Sequence, residues 1–222
     1  MRGGEGVRVL VACECSGRVR EAFRKLGHDA WSCDIQPADD DSPYHYQTDV
    51  FDVINKGWDL MIAHPPCTYL TVTGNSWFYH PDDKHLPLEE RRPHPRFPNR
   101  RQHREEAVEF FMALYNADIP KIAIENPVGI MSTRFRKPDQ IFQPYQFGDP
   151  YEKKTCLWLK GLDKLEDTNV VEPEPRVVFK SGKSMPAWYV EAAKLPPKER
   201  EKARSVTFQG FADAMAEQWG DE

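Results

Sequence analysis

Nowhere in the 222 residues is there an apolar run of the roughly 18 residues that a membrane-spanning helix needs, so no membrane partner is expected. The opening residues, Met1-Arg2-Gly3-Gly4-Glu5-Gly6, lack the apolar core of a secretory signal, which points to an intracellular protein. Cysteine is scarce and odd in number. Cys13, Cys15, Cys33, Cys67 and Cys156 cannot all pair, and they suit a reducing compartment better than a disulfide framework. A zinc centre on Cys13, Cys15, His28 and Cys33 is disfavoured by the single residue between the first two sulfurs, tighter than a metal knuckle; no metal is expected. A basic surplus is also missing. With 30 Lys and Arg against 35 Asp and Glu, the net charge is −5, opposite in sign to what a general binder of phosphate backbones carries.

The 40% hydrophobic content is enough to bury a core, most simply as one unit. Two stretches organise it. Leu60-Met61-Ile62-Ala63 reads as a buried strand that stops at Pro65-Pro66, and the rigid turn that follows presents Cys67. Lys121-Ile122-Ala123-Ile124 repeats the design and delivers Glu125, Asn126 and Pro127. In open α/β sheets ligands bind at the carboxyl ends of strands, so a thiol and a carboxyl presented there form a nucleophile and a proton donor that one sheet could place side by side. A buried carboxyl is costly unless it is hydrogen-bonded or used.

Upstream, Val7 to Ala12 is an apolar strand entering Cys13-Glu14-Cys15-Ser16-Gly17. Val19, Ala22, Phe23 and Leu26 then fall at helical spacing, and Ala30 to Cys33 is a second strand ending in Asp34. This βαβ unit places Asp34 to accept hydrogen bonds from a ribose diol. A nicotinamide cofactor is disfavoured, because of the three-glycine fingerprint only Gly17 remains. Tyr46 to Val50 reads as an edge strand or turn, with Asp49 either a cofactor contact or a helix cap. Glu105 to Asn116 has the pattern of an amphipathic helix, Leu157 to Leu159 of a further strand, and Ser205 to Trp219 of a closing helix.

Basic side chains are clustered. Lys84 to Arg104 holds seven against two glutamates, and Arg176 to Arg204 holds eight against three. The first cluster includes a proline-rich stretch, 81–99, that reads as an extended basic arm along a phosphate backbone, with disorder as the competing reading. Gly74 to Tyr79 reads as a mobile aromatic loop. Lys160 to Arg204 reads as proline-broken loop.

Pro65-Pro66-Cys67 followed, 58 positions after the cysteine, by Glu125-Asn126-Pro127 resembles the DNA (cytosine-5)-methyltransferases, in the order that family uses. The resemblance implies a Rossmann-like S-adenosylmethionine-dependent fold, α/β with a mostly parallel sheet and helices on both faces. It implies Cys67, Glu125 and Asn126 as catalytic residues. It implies contacts to S-adenosyl-L-methionine from the loop Cys13, Glu14, Cys15, Ser16 and Gly17, and from Asp34, Ile35, Asp49 and Pro65. Glu14 and Ser16 stand where that family has glycines. Double-stranded DNA is the implied partner, flipped base included, with Asn75, Arg100, Arg101, Arg104, Lys153, Lys154 and Thr155 as its contacts. The implied division is a catalytic unit over 1–159, a small recognition segment over 160–204 and a helix returning to the catalytic unit over 205–222, in a monomer from a bacterial or phage-infected host. A catalytically idle DNA-binding relative, or an enzyme acting on RNA or free nucleotides, is the alternative.

Overall fold

A computed structural model describes residues 6–220; the residues 1–5 just read for a signal core, and 221–222, lie outside the described residues. One seven-stranded sheet runs in the order β3-β2-β1-β4-β5-β7-β6. Its strands are β1 (Arg8–Ala12), β2 (Asp29–Asp34), β3 (His45–Gln47), β4 (Leu60–Ala63), β5 (Lys121–Pro127), β6 (Gln140–Phe142) and β7 (Thr155–Lys160). The first five are parallel, while β7 runs antiparallel between β5 and β6. Strand order reverses between β1 and β4, and in doubly wound Rossmann-like sheets the ligand crevice opens at that switch, beyond the carboxyl ends. The expected α/β architecture is what folds, with β3 as the edge strand.

Alternation along the strands explains why they are apolar throughout. Val9, Val11, Leu60, Ile62 and Leu157 face a core closed by Val19 and Phe23 of α1 (Arg18–Lys25) and by Phe211, Met215 and Trp219 of α6 (Gln209–Trp219). Leu10, Met61, Ile122, Ile124 and Trp158 face the opposite core, closed by Phe111 and Leu114 of α2 (Arg100–Tyr115). A sheet covered on both faces buries every side chain of its central strands. Each large apolar side chain removed from water stabilises the fold by about 1.5–3 kcal/mol.

Three expectations are corrected. The stretch 81–99 is not an extended arm. Buried Asp83 accepts bonds from the backbone N–H and guanidinium of Arg92 at 2.6–3.0 Å, and the segment folds back on itself through a bridge between Tyr79 and Pro93. The stretch 160–204 is not loop throughout. It contains a hairpin, β8 (Arg176–Val178) with β9 (Ser184–Pro186), then α4 (Ala187–Ala193) and α5 (Pro197–Ser205). Its prolines start helices rather than break them: Pro186 and Pro196 sit at N-caps and Pro197 is the first residue of α5, where a missing N–H costs nothing. Ser205 accordingly ends α5, and α6 starts at Gln209. A short helix, α3 (Met131–Arg134), follows β5. No helix among the described residues is long and apolar enough to cross a membrane.

Candidate active site

The site grows from the β4–β5 register. Ala63 pairs with Ile124, so the next residues, His64 and Glu125, emerge side by side at the carboxyl edge. His64 Nδ1 lies 3.1 Å from Glu125 Oε2, and both side chains are largely buried. The His64 backbone N–H donates to Ala12 O at 2.9 Å, tying the β4 exit to β1 before the two prolines stiffen it. Asn126, itself buried, donates from Nδ2 to Pro65 O at 2.8 Å. That bond locks the Pro-Pro-Cys turn onto the end of β5. Cys67 O then accepts from the N–H groups of Leu70 and Thr71 at 3.0 and 2.9 Å, closing a tight turn that holds the half-buried thiol.

Charges around the turn oppose one another. Burial, and next the Glu125 charge, raise the Cys67 thiol above its ordinary value, while Lys153 pulls the other way. Burial resists ionisation of Glu125, but the His64 hydrogen bond and the charges of Lys153 and His64 prevail and hold its carboxyl below its ordinary value. The resting proton therefore sits on sulfur and the carboxylate is charged. The buried Nε2 of His64 and Oδ1 of Asn126 have no hydrogen-bond partner in the protein. Buried polar atoms without partners are rare, and here both belong to residues flanking the thiol and the carboxylate.

Beside this turn lies a cleft of about 400 Å³ at the sheet's switch point. Asp34 from the end of β2, Asp49 after β3 and Glu106 of α2 supply its carboxylates. Ile35, 74% exposed, gives it an apolar lip, and Phe110 of α2 lines it too. Asp49 is a cap: its Oδ1 accepts from Phe51 N–H at 2.9 Å at the start of a 3₁₀ turn, and the residue also lines the cleft. Carboxylates beside apolar walls suit a nucleoside, whose sugar diol and base need those two kinds of contact.

Other expected residues are placed elsewhere. Cys13 lines the cleft in a left-handed conformation (φ 60°), whereas Glu14 is buried and turned to the start of α1, accepting from Val19 N–H at 2.9 Å and Ser16 Oγ at 3.2 Å. Gly17 is needed at φ 69°, where a Cβ would stand 2.3 Å from the guanidinium of Arg20, so its role is steric. Pro65 is buried under Asn126 and Pro66 takes the place at the cleft. Burial and the neighbouring Asp34 carboxylate push the Cys15 thiol up to about 12, which leaves it inert.

Among the expected nucleic-acid contacts, Lys153 stands near Glu125 and Cys67, Lys154 beside Cys156, and Thr155 is buried with its hydroxyl donating to Lys153 O at 2.8 Å. Arg104 is turned inward, donating to Tyr69 O at 2.9 Å and to Asn75 Oδ1 at 2.7 Å with its guanidinium 3.5 Å over Phe78. Arg100 donates to Thr68 O at 3.0 Å, and Arg101 to Arg91 O at 2.8 Å. Arg100 and Arg104 pin the Thr68–Phe78 segment, which is thereby held in place. His64, Tyr69, His103 and Phe110 were not foreseen. His64 had a usable signal in the sequence, a histidine directly before two prolines at a strand end; the cleft residues of α2 had none, because their position depends on how the helix docks.

No protein-family model matches the chain, and no curated protein matches it in sequence. Among solved structures it is similar to a protein assigned as a DNA modification methyltransferase encoded within an E. coli prophage, at 15% identity and a TM-score of 0.45 over 86% of this chain and 56% of that one. It is also similar to the Entamoeba histolytica methyltransferase EhMeth, at 15% identity and a TM-score of 0.46 over 78% of this chain and 59% of that one. The chain thus spans less than two thirds of the length of either.

Proposed function

We propose that the protein is a DNA cytosine-5 methyltransferase that uses S-adenosyl-L-methionine. One observation carries the reading: the β4–β5 register and the Asn126–Pro65 bond hold a thiol and a carboxylate at one strand edge, next to a cleft with acidic and apolar walls. Carbon 5 of cytosine is too weak a nucleophile to be alkylated unaided, and a thiol–carboxyl pair answers that difficulty. Asp34 would hold the ribose diol of the cofactor, and Asp49 with Ile35 its adenine. Bound there, S-adenosyl-L-methionine would supply an electrophilic methyl group.

The residues of the chain do the rest. Cys67 sulfur bonds to carbon 6 of the base, and the thiol proton passes through the Glu125 carboxylate to ring nitrogen 3. The sulfur–carbon bond and the nitrogen–hydrogen bond form as the sulfur–hydrogen bond breaks, and carbon 5 becomes an enamine carbon. His64 is a positioning residue: its Nδ1 fixes the carboxylate and keeps it ionised until the base arrives. Asn126 holds the turn still. After carbon 5 is substituted, its proton is lost to solvent water as the sulfur–carbon bond breaks, and the proton on nitrogen 3 returns through Glu125 to the departing sulfur. The segment 160–204 is the recognition region, and its small size limits the bases it can read to a short target. Inward-turned Arg104 favours one second reading, a free nucleotide as substrate in place of a strand. Mass spectrometry of nucleosides from DNA co-expressed with the protein, and of deoxycytidine monophosphate incubated with it, separates the two. The proposal requires 5-methylcytosine in the DNA; its absence from both pools refutes the reaction.

A further inference from the structure

Pro66 and Tyr69 line the nucleoside cleft, but Thr68, between them, lines a different one of about 380 Å³. Its walls come from three distant parts of the chain: the Thr68–Trp77 turn, Arg100 at the start of α2, and Tyr189 with Arg204 from α4 and α5. α5 is near the catalytic turn, since the charge of its Glu201 is felt at the Cys67 thiol. The cleft has two guanidinium groups and no carboxylate among its lining residues, in a chain whose net charge is −5.

Neither guanidinium is exhausted by the fold. Arg100 places one Nη on Thr68 O at 3.0 Å, and Arg204 one Nη on Tyr189 O at 3.5 Å, while the buried Nε of each has no partner among the described residues. Arginine carries five donors in a planar fork that matches phosphate oxygens, so two such forks aimed at one acid-free cleft leave donors for an anion. Gly74 keeps the approach open: a Cβ there would lie 2.7 Å from an Arg100 Nη. Trp77 completes the site. It is braced edge-on by His94 at 5.3 Å and Phe97 at 5.6 Å and is still 44% exposed, which suits a ring on which a base stacks.

We infer that this cleft is a nucleotide-phosphate site, in which Arg100 and Arg204 hold a phosphate beside the base presented to Cys67 and Trp77 carries an adjoining ring. The inference rests on the proposed function in placing a base at Cys67, and it adds the group that anchors the rest of the nucleotide. The phosphate could belong to a strand or to a free nucleotide. Both sources share the chemistry, and the assay below tells them apart.

The test uses fluorescein-labelled oligothymidylate, which contains no cytosine, so that binding is read independently of methyl transfer. Arg204→Gln is expected to weaken binding roughly tenfold to a hundredfold, the range for a lost charged hydrogen bond, and to lower the slope of log affinity on log salt by about 0.7. Arg204→Lys should recover the slope but not all of the affinity. Thymidine 5′-monophosphate should compete where thymidine does not. Oligothymidylate binding far tighter than the monophosphate assigns the site to a strand, and equal binding assigns it to a free nucleotide. If Arg204→Gln fails to fold, the wild type still decides: inorganic phosphate should slow phenylglyoxal modification of Arg204 and Arg100. Unchanged affinity in folded Arg204→Gln, or modification unaffected by phosphate, overturns the site. Loss of methyl transfer with Arg204-dependent binding intact would instead leave the site standing and sink the reaction assigned to Cys67.

Discussion

The carboxyl edge of β4 and β5 and the arginine-rich start of α2 both promised chemistry in the sequence, yet they treat their polar groups in opposite ways. At the strand edge, backbone bonds hold the frame, and His64 Nε2 and Asn126 Oδ1 remain without a partner beside the reactive pair. At the helix start, Arg101 and Arg104 donate to carbonyls and an amide of their own chain and stack on Tyr79 and Phe78. Charge density in a sequence therefore says little about what a surface binds. What matters is which donors and acceptors remain after the fold has used its share, and by that measure Arg104 is spent within the chain while Arg100 and Arg204 each keep an unpartnered Nε among the described residues, which is why the phosphate site is proposed there.

The largest effect should come from removing the thiol. Cys67→Ser keeps the turn, since Cys67 contributes its backbone carbonyl to Leu70 and Thr71, but a hydroxyl is too weak a nucleophile for carbon 6. Methyl transfer to DNA should be abolished with DNA affinity retained. DNA containing 5-fluorocytosine should form a covalent complex with the wild type alone, visible on a denaturing gel. Transfer by the serine variant would remove the strand edge from the mechanism.

Next is Glu125→Gln, where two readouts should move in opposite directions. Without the carboxylate, transfer should fall by about 10²-fold or more, the usual contribution of a general acid–base group. The Cys67 thiol, however, loses a negative neighbour that raises it, so its alkylation by iodoacetamide at pH 8 should speed up. A passive structural glutamate would not give that reversal. The same carboxyl sets an acid limit on stability. Its folded value lies below the ordinary one, so its contribution is complete above the unfolded carboxyl value, about 4.3, and is lost as pH falls through the lower folded value. Thermal melts of Glu125→Gln should lack that part of the acid decline seen in the wild type.

The strand core and its exits were legible in the sequence, because apolar runs ended by proline or by an acid leave few alternatives: Leu60–Ala63 was bounded to the residue, and Asp34 ends β2 as expected. Less legible was anything set by docking. Arg100 to Arg104 extends α2 beyond the expected start at Glu105, since good helix formers facing solvent carry no apolar period. Asp83 and Arg92, nine positions apart, fold the proline-rich stretch through a buried pair that no local pattern announces. Glu14 looked like a loop residue replacing a glycine and is instead the acceptor for the amides that open α1.

Asp34→Ala tests the cofactor cleft proposed beside the strand edge. Its Oδ1 accepts from Gln36 N–H at 2.9 Å, and the ribose is the further partner proposed for the carboxylate. The variant should weaken S-adenosyl-L-methionine binding roughly tenfold, as expected for a lost hydrogen bond to a charged group, with little change in oligonucleotide affinity. Calorimetry showing equal cofactor affinity in both proteins would move the cofactor out of this cleft.

The smallest effect expected, and the sharpest test of the comparison, concerns Arg101 and Arg104. Arg104→Gln removes bonds to Tyr69 O and Asn75 Oδ1 and the contact with Phe78, which should cost about 1–3 kcal/mol of stability, read by denaturant unfolding. Faster amide exchange in the Thr68–Phe78 segment should accompany it. Arg101→Gln, at an exposed position with one bond to Arg91 O, should cost no more than about 0.5 kcal/mol. Arg104→Gln should leave the salt dependence of DNA binding unchanged, because that guanidinium is spent on Tyr69 O, Asn75 Oδ1 and the Phe78 ring. Were the slope to fall by about 0.9 for that one charge, the side chain would have to leave its internal partners when DNA binds. The start of α2 would then be a binding surface held closed by the fold, no different in kind from the strand edge it was contrasted with.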